Sequence, residues 1–298
     1  MDYNLAYIGN EIRTIRKEKK LTQEDLAFAA DLSVDTIRRL ESGKVDIKLS
    51  SLLLVLEELG IEFDGIFNNL QGSIWSSISY YTTEIDYYIS ELDYEKAKIT
   101  LEEFEKVDKD SLPRFYQKKC IQYFKFYQSI IYNPKRSSKA FINGLNEAMS
   151  ISHKDFDIKN YKEYNYTNFE YRILSAMAFY FREIDETDFS YHILHFILKN
   201  ISENNSIYPN ISYNTARFYA YDRDFVNAKD LNEKSLHSSI RNNNILGLIY
   251  AYYQKGDILI KQRDSDAMVY IGISLDLCRA SKRYSLENAL KNLIYKNF

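Results

Sequence analysis

The stretch LTQEDLAFAADLSVDTIRRLESGK, from Leu21 to Lys44, leaves the chain little conformational choice. Thr22 is followed three residues later by Asp25, the pairing that caps a helix start reciprocally, and Leu26, Ala27 and Ala30 supply that helix's apolar stripe. Ser33 opens a second helix, on which Val34, Ile37 and Leu40 lie at i, i+3 and i+6 and form the sealing face. Only Ala30, Asp31 and Leu32 separate the two, so the spacing predicts short helices joined by a tight turn. Asp35, Thr36, Arg38, Arg39 and Ser42 are left facing outward. The flanks from Ile8 and to Gly60 extend the pattern to four short helices, and IEFDGIF points to a fifth beginning near Asp64.

With its TQEDLA and TIRRLESGK strings, the stretch from Ile8 to Gly60 resembles the Cro/C1 (Xre) family of helix-turn-helix domains. The resemblance implies that the second helix enters the DNA major groove with its N-terminal residues on base edges while the first crosses the backbone. It places Val34, Asp35 and Arg39 where bases are read, with Gln23, Thr36 and Lys44 on phosphate-contacting positions. Arg39 has the planar fork that grips guanine bidentately, whereas Asp35 can accept only from an exposed cytosine amino group. Arg16 and Glu41 match a pair that forms an internal salt bridge in the family, so Arg16 is expected to be structural.

Charge alone argues against this reading. Residues 1–70 carry nine Lys and Arg against thirteen Asp and Glu, in a chain of net charge −3. DNA responds to local potential, however, and the bases cluster as Arg13, Arg16, Lys17, Lys19, Lys20 and then Arg38, Arg39, Lys44, Lys48. So sparse a basic face neutralises few phosphates per copy, and a homodimer that supplies a second half-site is expected.

The chain has 298 residues, too many for this module alone. With three prolines, nine glycines and no long apolar run, the remainder is expected to be helical and not to span a membrane. MDYNLAY has no basic-then-apolar order and two cysteines are too few for a disulfide scaffold, so a cytoplasmic location is expected. NNLQGS, residues 68–73, has linker chemistry, which divides the chain into a DNA-binding domain at 1–70 and a second domain at 71–298.

That second domain repeats a phrase. In LDYEKA and again in YNTARFYAYDRDFVNAKDLNEKSL, an aromatic is followed three residues later by alanine, with small and aromatic residues one helix earlier, which is tetratricopeptide (TPR) spacing. Taking Ala97, Ala140, His192, Ala228 and Ala267 as register anchors gives about five degenerate helix pairs. The third A helix is expected over Tyr161–Ile184 with its B helix from Phe189, and a final helix over Ser285–Tyr295 caps the array. The fold class expected is all-α, a helix-turn-helix bundle followed by a right-handed TPR-like solenoid.

The A helices of such a solenoid line a concave groove suited to an extended peptide. On the fourth, Asn214, Arg217 and Tyr221 share one face, and on the third Asn168 and Arg172 lie at i and i+4. A side-chain amide donates and accepts at once, as a peptide backbone needs, and arginine binds carboxylates.

The whole arrangement resembles the RRNPP group of peptide-sensing regulators of Gram-positive bacteria, especially its PlcR- and Rgg-type members, with Y-N-T-A-R-x-Y at 213–219 as the best local match to the group's peptide-holding asparagine. The resemblance implies a cytoplasmic homodimeric transcription factor in which a short imported signalling peptide changes how two DNA-binding heads are presented. A competing reading makes the TPR half a docking platform for a protein partner such as an antirepressor. His192 and His195 have no Cys or carboxylate partner in sequence and are expected to be packed rather than to hold a metal. No Gly-rich phosphate loop, G-x-S-x-G or metalloprotease motif occurs, so neither catalysis nor a cofactor is expected.

Overall fold

A computed structural model describes residues 5–43, 48–61, 72–109, 112 and 114–297. Among them all regular structure is helical. The chain divides into two compact units, Met1–Tyr81 with Lys106–Cys120, and Thr82–Glu105 with Ile121–Phe298.

The first unit opens with α1 (Leu5–Glu18), α2 (Gln23–Ala29), α3 (Val34–Ser42) and α4 (Leu49–Leu59). The expected caps form: Thr22 Oγ1 accepts from Asp25 N at 3.0 Å while Asp25 Oδ2 accepts from Thr22 N at 2.8 Å. Ser33 Oγ likewise accepts from Thr36 N at 3.1 Å and starts α3. Ile12, Leu26, Ile37 and Val55 are wholly buried and meet Ile8, Leu40, Leu52, Leu56 and Leu59 in one core. Each such aliphatic side chain contributes about 1.5–3 kcal/mol by leaving water, which is what holds helices too short to persist alone. α4 ends at Gly60, whose φ of +62° is the left-handed conformation that stops a helix. The helix expected near Asp64 and the boundary at residue 70 lie outside the described residues.

The remainder is the expected run of helix pairs: α5 (Gly72–Ser90) with α6 (Tyr94–Glu105), α7 (Arg114–Tyr132) with α8 (Lys139–Ser150), α9 (Asn168–Glu183) with α10 (Thr187–Asn200), α11 (Tyr208–Tyr221) with α12 (Phe225–Arg241), and α13 (Ile245–Lys261) with α14 (Ala267–Ala280). α15 (Tyr284–Asn297) follows and packs on α14. α5 begins in the first unit and ends in the second. In the second unit α8 packs on α9, α10 on α11, and α12 on α13, while α11 also touches α13 directly. That is the neighbour-to-neighbour stacking of a helical repeat.

Three details of register differ from expectation. Ala140 is exposed, because Ser138 caps α8 and makes Ala140 only its second residue; the small residue facing α7 is the half-buried Gly144, where any Cβ would run into Ser129. His192 is exposed too. α10 starts at Thr187, two residues before the expected Phe189, and this rotates Ser190 into the packing position; Ser190, Ala97 and Ala228 are each the fourth residue of their helix and wholly buried. Finally, Tyr161 belongs to a 3-10 turn at Ile158–Glu163, and α9 begins at Asn168, because Thr167 and Glu170 form a second reciprocal cap.

Candidate functional site

In the first unit one carboxylate organises three helices. Glu41 of α3 is 8% exposed and accepts from Arg16 of α1 twice, Nε to Oε1 at 2.5 Å and Nη2 to Oε2 at 3.1 Å. Gln23, at the start of α2, donates its amide to Glu41 Oε2 at 2.7 Å, and Arg16 Nη1 donates to the Leu21 carbonyl at 2.6 Å. Arg16 is therefore structural, as its sequence match implied, and its hydrogen bond to Glu41 raises its pKa above the ordinary arginine value. Gln23 commits one amide proton to the same cluster.

The network fixes α3 so that Asp35, Arg38 and Arg39 are exposed along one side. Val34 and Thr36 are half-buried: Val34 packs at the edge of the core and the Thr36 hydroxyl lies 2.8 Å from Ser33 Oγ. Lys44 lies outside the described residues. Arg38 and Arg39 form no ion pair among the described residues, so both guanidiniums face solvent. The outlier is Phe28 of α2, 89% exposed, which no periodicity argument singles out because it falls off the buried stripe.

In the second unit the five residues assigned to a groove differ in what they already hold. Arg172 Nη2 donates to Asp86 Oδ1 at 2.7 Å, and the Tyr127 hydroxyl donates to the same oxygen at 3.0 Å. The guanidinium lies 5.5 Å from the rings of both Phe126 and Phe169. Asn168 accepts from Asn205 Nδ2 at 2.8 Å. Tyr221 is 77% exposed, with the Arg182 guanidinium 5.2 Å from its ring. That arginine is held by Asp222, which accepts from both of its terminal nitrogens and from the Tyr191 hydroxyl; the Arg182 bond foremost keeps the carboxyl below its usual pKa. His195, expected to be packed, is exposed with Nε2 2.8 Å from the Tyr219 hydroxyl oxygen.

Asn214 and Arg217 are different. Asn214 is half-buried and its amide has no hydrogen-bond partner among the described residues, while Arg217 lies 5.2 Å over the Phe179 ring with no carboxylate in reach among them. One helix pair on, Gln254 of α13 is 3% exposed and neither its Oε1 nor its Nε2 has a partner among the described residues. It sits a turn beyond Tyr250, whose ring stacks on Tyr213 of α11 at 5.2 Å and 23°. A buried amide with neither end satisfied is costly to the fold. The sequence gives no hint of it, since glutamine on an amphipathic helix reads as a solvent-facing residue.

A helix-turn-helix family, HTH_3, matches residues 12–66. Over 59 residues the chain is 39% identical to the uncharacterized HTH-type transcriptional regulator y4mF of Sinorhizobium fredii, a stretch covering 20% of this chain and 78% of that protein. Over 59 residues it is 41% identical to the immunity repressor protein of Bacillus phage phi105, covering 20% of this chain and 41% of the repressor. The chain belongs to the helix-turn-helix transcriptional regulators and is a DNA-binding protein. Its full length then places it more narrowly, by fold. Bacillus thuringiensis PlcR, solved with the peptide PapR7 and DNA, superposes with a TM-score of 0.74 at 17% identity over 96% of this chain and 99% of that one. ComR from S. thermophilus, solved with DNA and its signalling peptide ComS, gives 0.64 at 14% over 97% and 99%. The SHP pheromone receptor Rgg2 of Streptococcus dysgalactiae gives 0.60 at 16% over 97% and 100%. This is the architecture that the sequence resemblance implied.

Proposed function

We propose that the chain is a cytoplasmic transcriptional regulator whose repeat unit binds a short signalling peptide against α9, α11 and α13, and whose α3 enters the major groove. The observation that carries the peptide reading is the set Asn214, Arg217 and Gln254. These are two amides and a guanidinium, on successive A helices, with no hydrogen-bond or ion-pair partner among the described residues. An extended backbone offers alternating carbonyls and amides, which the two side-chain amides match, and Arg217 matches an acidic side chain or terminal carboxylate. The stacked Tyr213 and Tyr250 provide a flat apolar wall beside them. Arg172 enters this site as a cation that Asp86 already neutralises. The likeness of fold to PlcR and ComR supports the same reading.

The test uses peptides recovered by mass spectrometry from the protein purified from its native host. Asn214→Ala should weaken their binding about ten- to a hundredfold in calorimetry, the cost of unpairing a bidentate contact. Its circular dichroism and basal operator affinity should match the parent chain. Unchanged peptide affinity in Asn214→Ala removes the groove assignment and makes a protein-docking platform the better reading.

A further inference from the structure

In a solenoid each helix pair touches only its neighbours, so the first and last helices have no reason to meet. In this chain they do. Glu91 sits in the turn between α5 and α6 and is 6% exposed. Its Oε1 receives Arg283 Nη1 at 3.3 Å, and the same Nη1 donates to Ser90 Oγ at 2.7 Å. Its Oε2 accepts from the backbone N–H of Ser285 at 3.2 Å and of Leu286 at 3.4 Å. These two N–H groups belong to the first turn of α15, where a helix has no acceptor of its own and carries its positive dipole end. Arg283 also lies 5.0 Å over the ring of Tyr87, one turn earlier on α5.

We propose that Glu91 and Arg283 form a latch that ties the first helix pair of the repeat unit to its last helix, closing the array end to end. The carboxylate supplies an N-terminal cap to α15 from a residue 194 positions earlier in the chain. Removing Arg283 leaves the Glu91 carboxylate buried without its cation, so the two ends of the latch are energetically coupled. The latch also adjoins the proposed peptide site. Burial raises the pKa of Tyr250, and Arg283 and Glu91 are among the charges acting on it, so the tyrosine that stacks on Tyr213 lies within their field.

Hydrogen exchange on the full-length, ligand-free chain tests the latch without requiring a peptide, so its outcome is independent of the peptide reading. Arg283→Met removes the donors at similar length, and Glu91→Gln removes the charge at the same shape. In each variant, protection should fall about tenfold or more, together, in residues 82–91 and 284–294, while residues 208–241 keep their protection. The double variant should be no worse than the more affected single one, because both break one interaction. Loss at one end only, no loss at either end in a variant of unchanged helical content, or strictly additive losses in the double variant would each overturn the proposal. Should Arg283→Met fail to fold, Glu91→Gln still decides, since it removes the charge that Arg283 and the α15 N–H groups face while keeping the side chain's shape.

Discussion

Arg39 and Gln23 show what a single residue's surroundings decide. Arg39 is exposed near the end of α3 and unpaired among the described residues, so nothing internal competes with a base edge for its fork. Arg39→Ala should cost about 1–3 kcal/mol at a specific operator and relax preference at one base position. Lys44→Ala should weaken all sequences alike and lower the salt slope by about one. Footprinting and salt titration check both; unchanged operator specificity in Arg39→Ala would displace α3 from the groove. The arginine was legible because its spacing from Ser33 fixes its side of the helix. What Gln23 and Arg172 hold was not. Gln23 reaches a carboxylate 18 residues on, and Arg172 one 86 residues back, and no local pattern encodes such a partner. Gln254 escaped for a related reason: its burial follows from how α13 is packed, which helical periodicity resolves to a face but not to a depth.

Helix starts and turns set the register of every element. Thr22, Ser33 and their partners were readable because both halves of a cap are close in sequence. Thr167 and Glu170 carry the same signal, and it starts α9 at Asn168. At α10 the start at Thr187 has no capping hydrogen bond to read, which is why the spacing alone points to His192 as the packing residue. The turns carry a cost of their own. Arg223 adopts φ +63° and Asn243 φ +50°, the left-handed region, and Leu92, Asp185, Arg263 and Lys282 behave alike at equivalent turns. A side chain there costs about 1–2 kcal/mol that glycine avoids, less what glycine's freedom costs in the unfolded chain. Arg223→Gly should therefore stabilise the repeat unit by up to about 1 kcal/mol. Gly60→Ala, at φ +62° with no atom nearer than 3.8 Å to the new carbon, should destabilise the first unit by about the same amount. Thermal unfolding of each variant measures the sign, and two shifts in the same direction would refute the account.

For the whole molecule, the first question is how many copies act together. The basic face of one head is small, and a second half-site is the simplest source of added affinity. Sedimentation of the full-length chain should give about twice its 35.2 kDa mass, and the operator should hold two half-sites; a monomer on a single half-site refutes this. The all-helical fold and the succession of pairs were legible from repeated small and aromatic residues. The meeting of Glu91 with α15 was not, because it joins the two ends of the array. That contact also limits how the protein can change over evolutionary time. An open array of repeats gains or loses a unit by duplication or deletion and merely becomes longer or shorter. Here an added or missing pair would carry Arg283 and the start of α15 away from Glu91, stranding a buried charge at one end and an uncapped helix at the other. Insertion or deletion of a whole pair should thus cost this protein more stability than substitutions within the existing pairs.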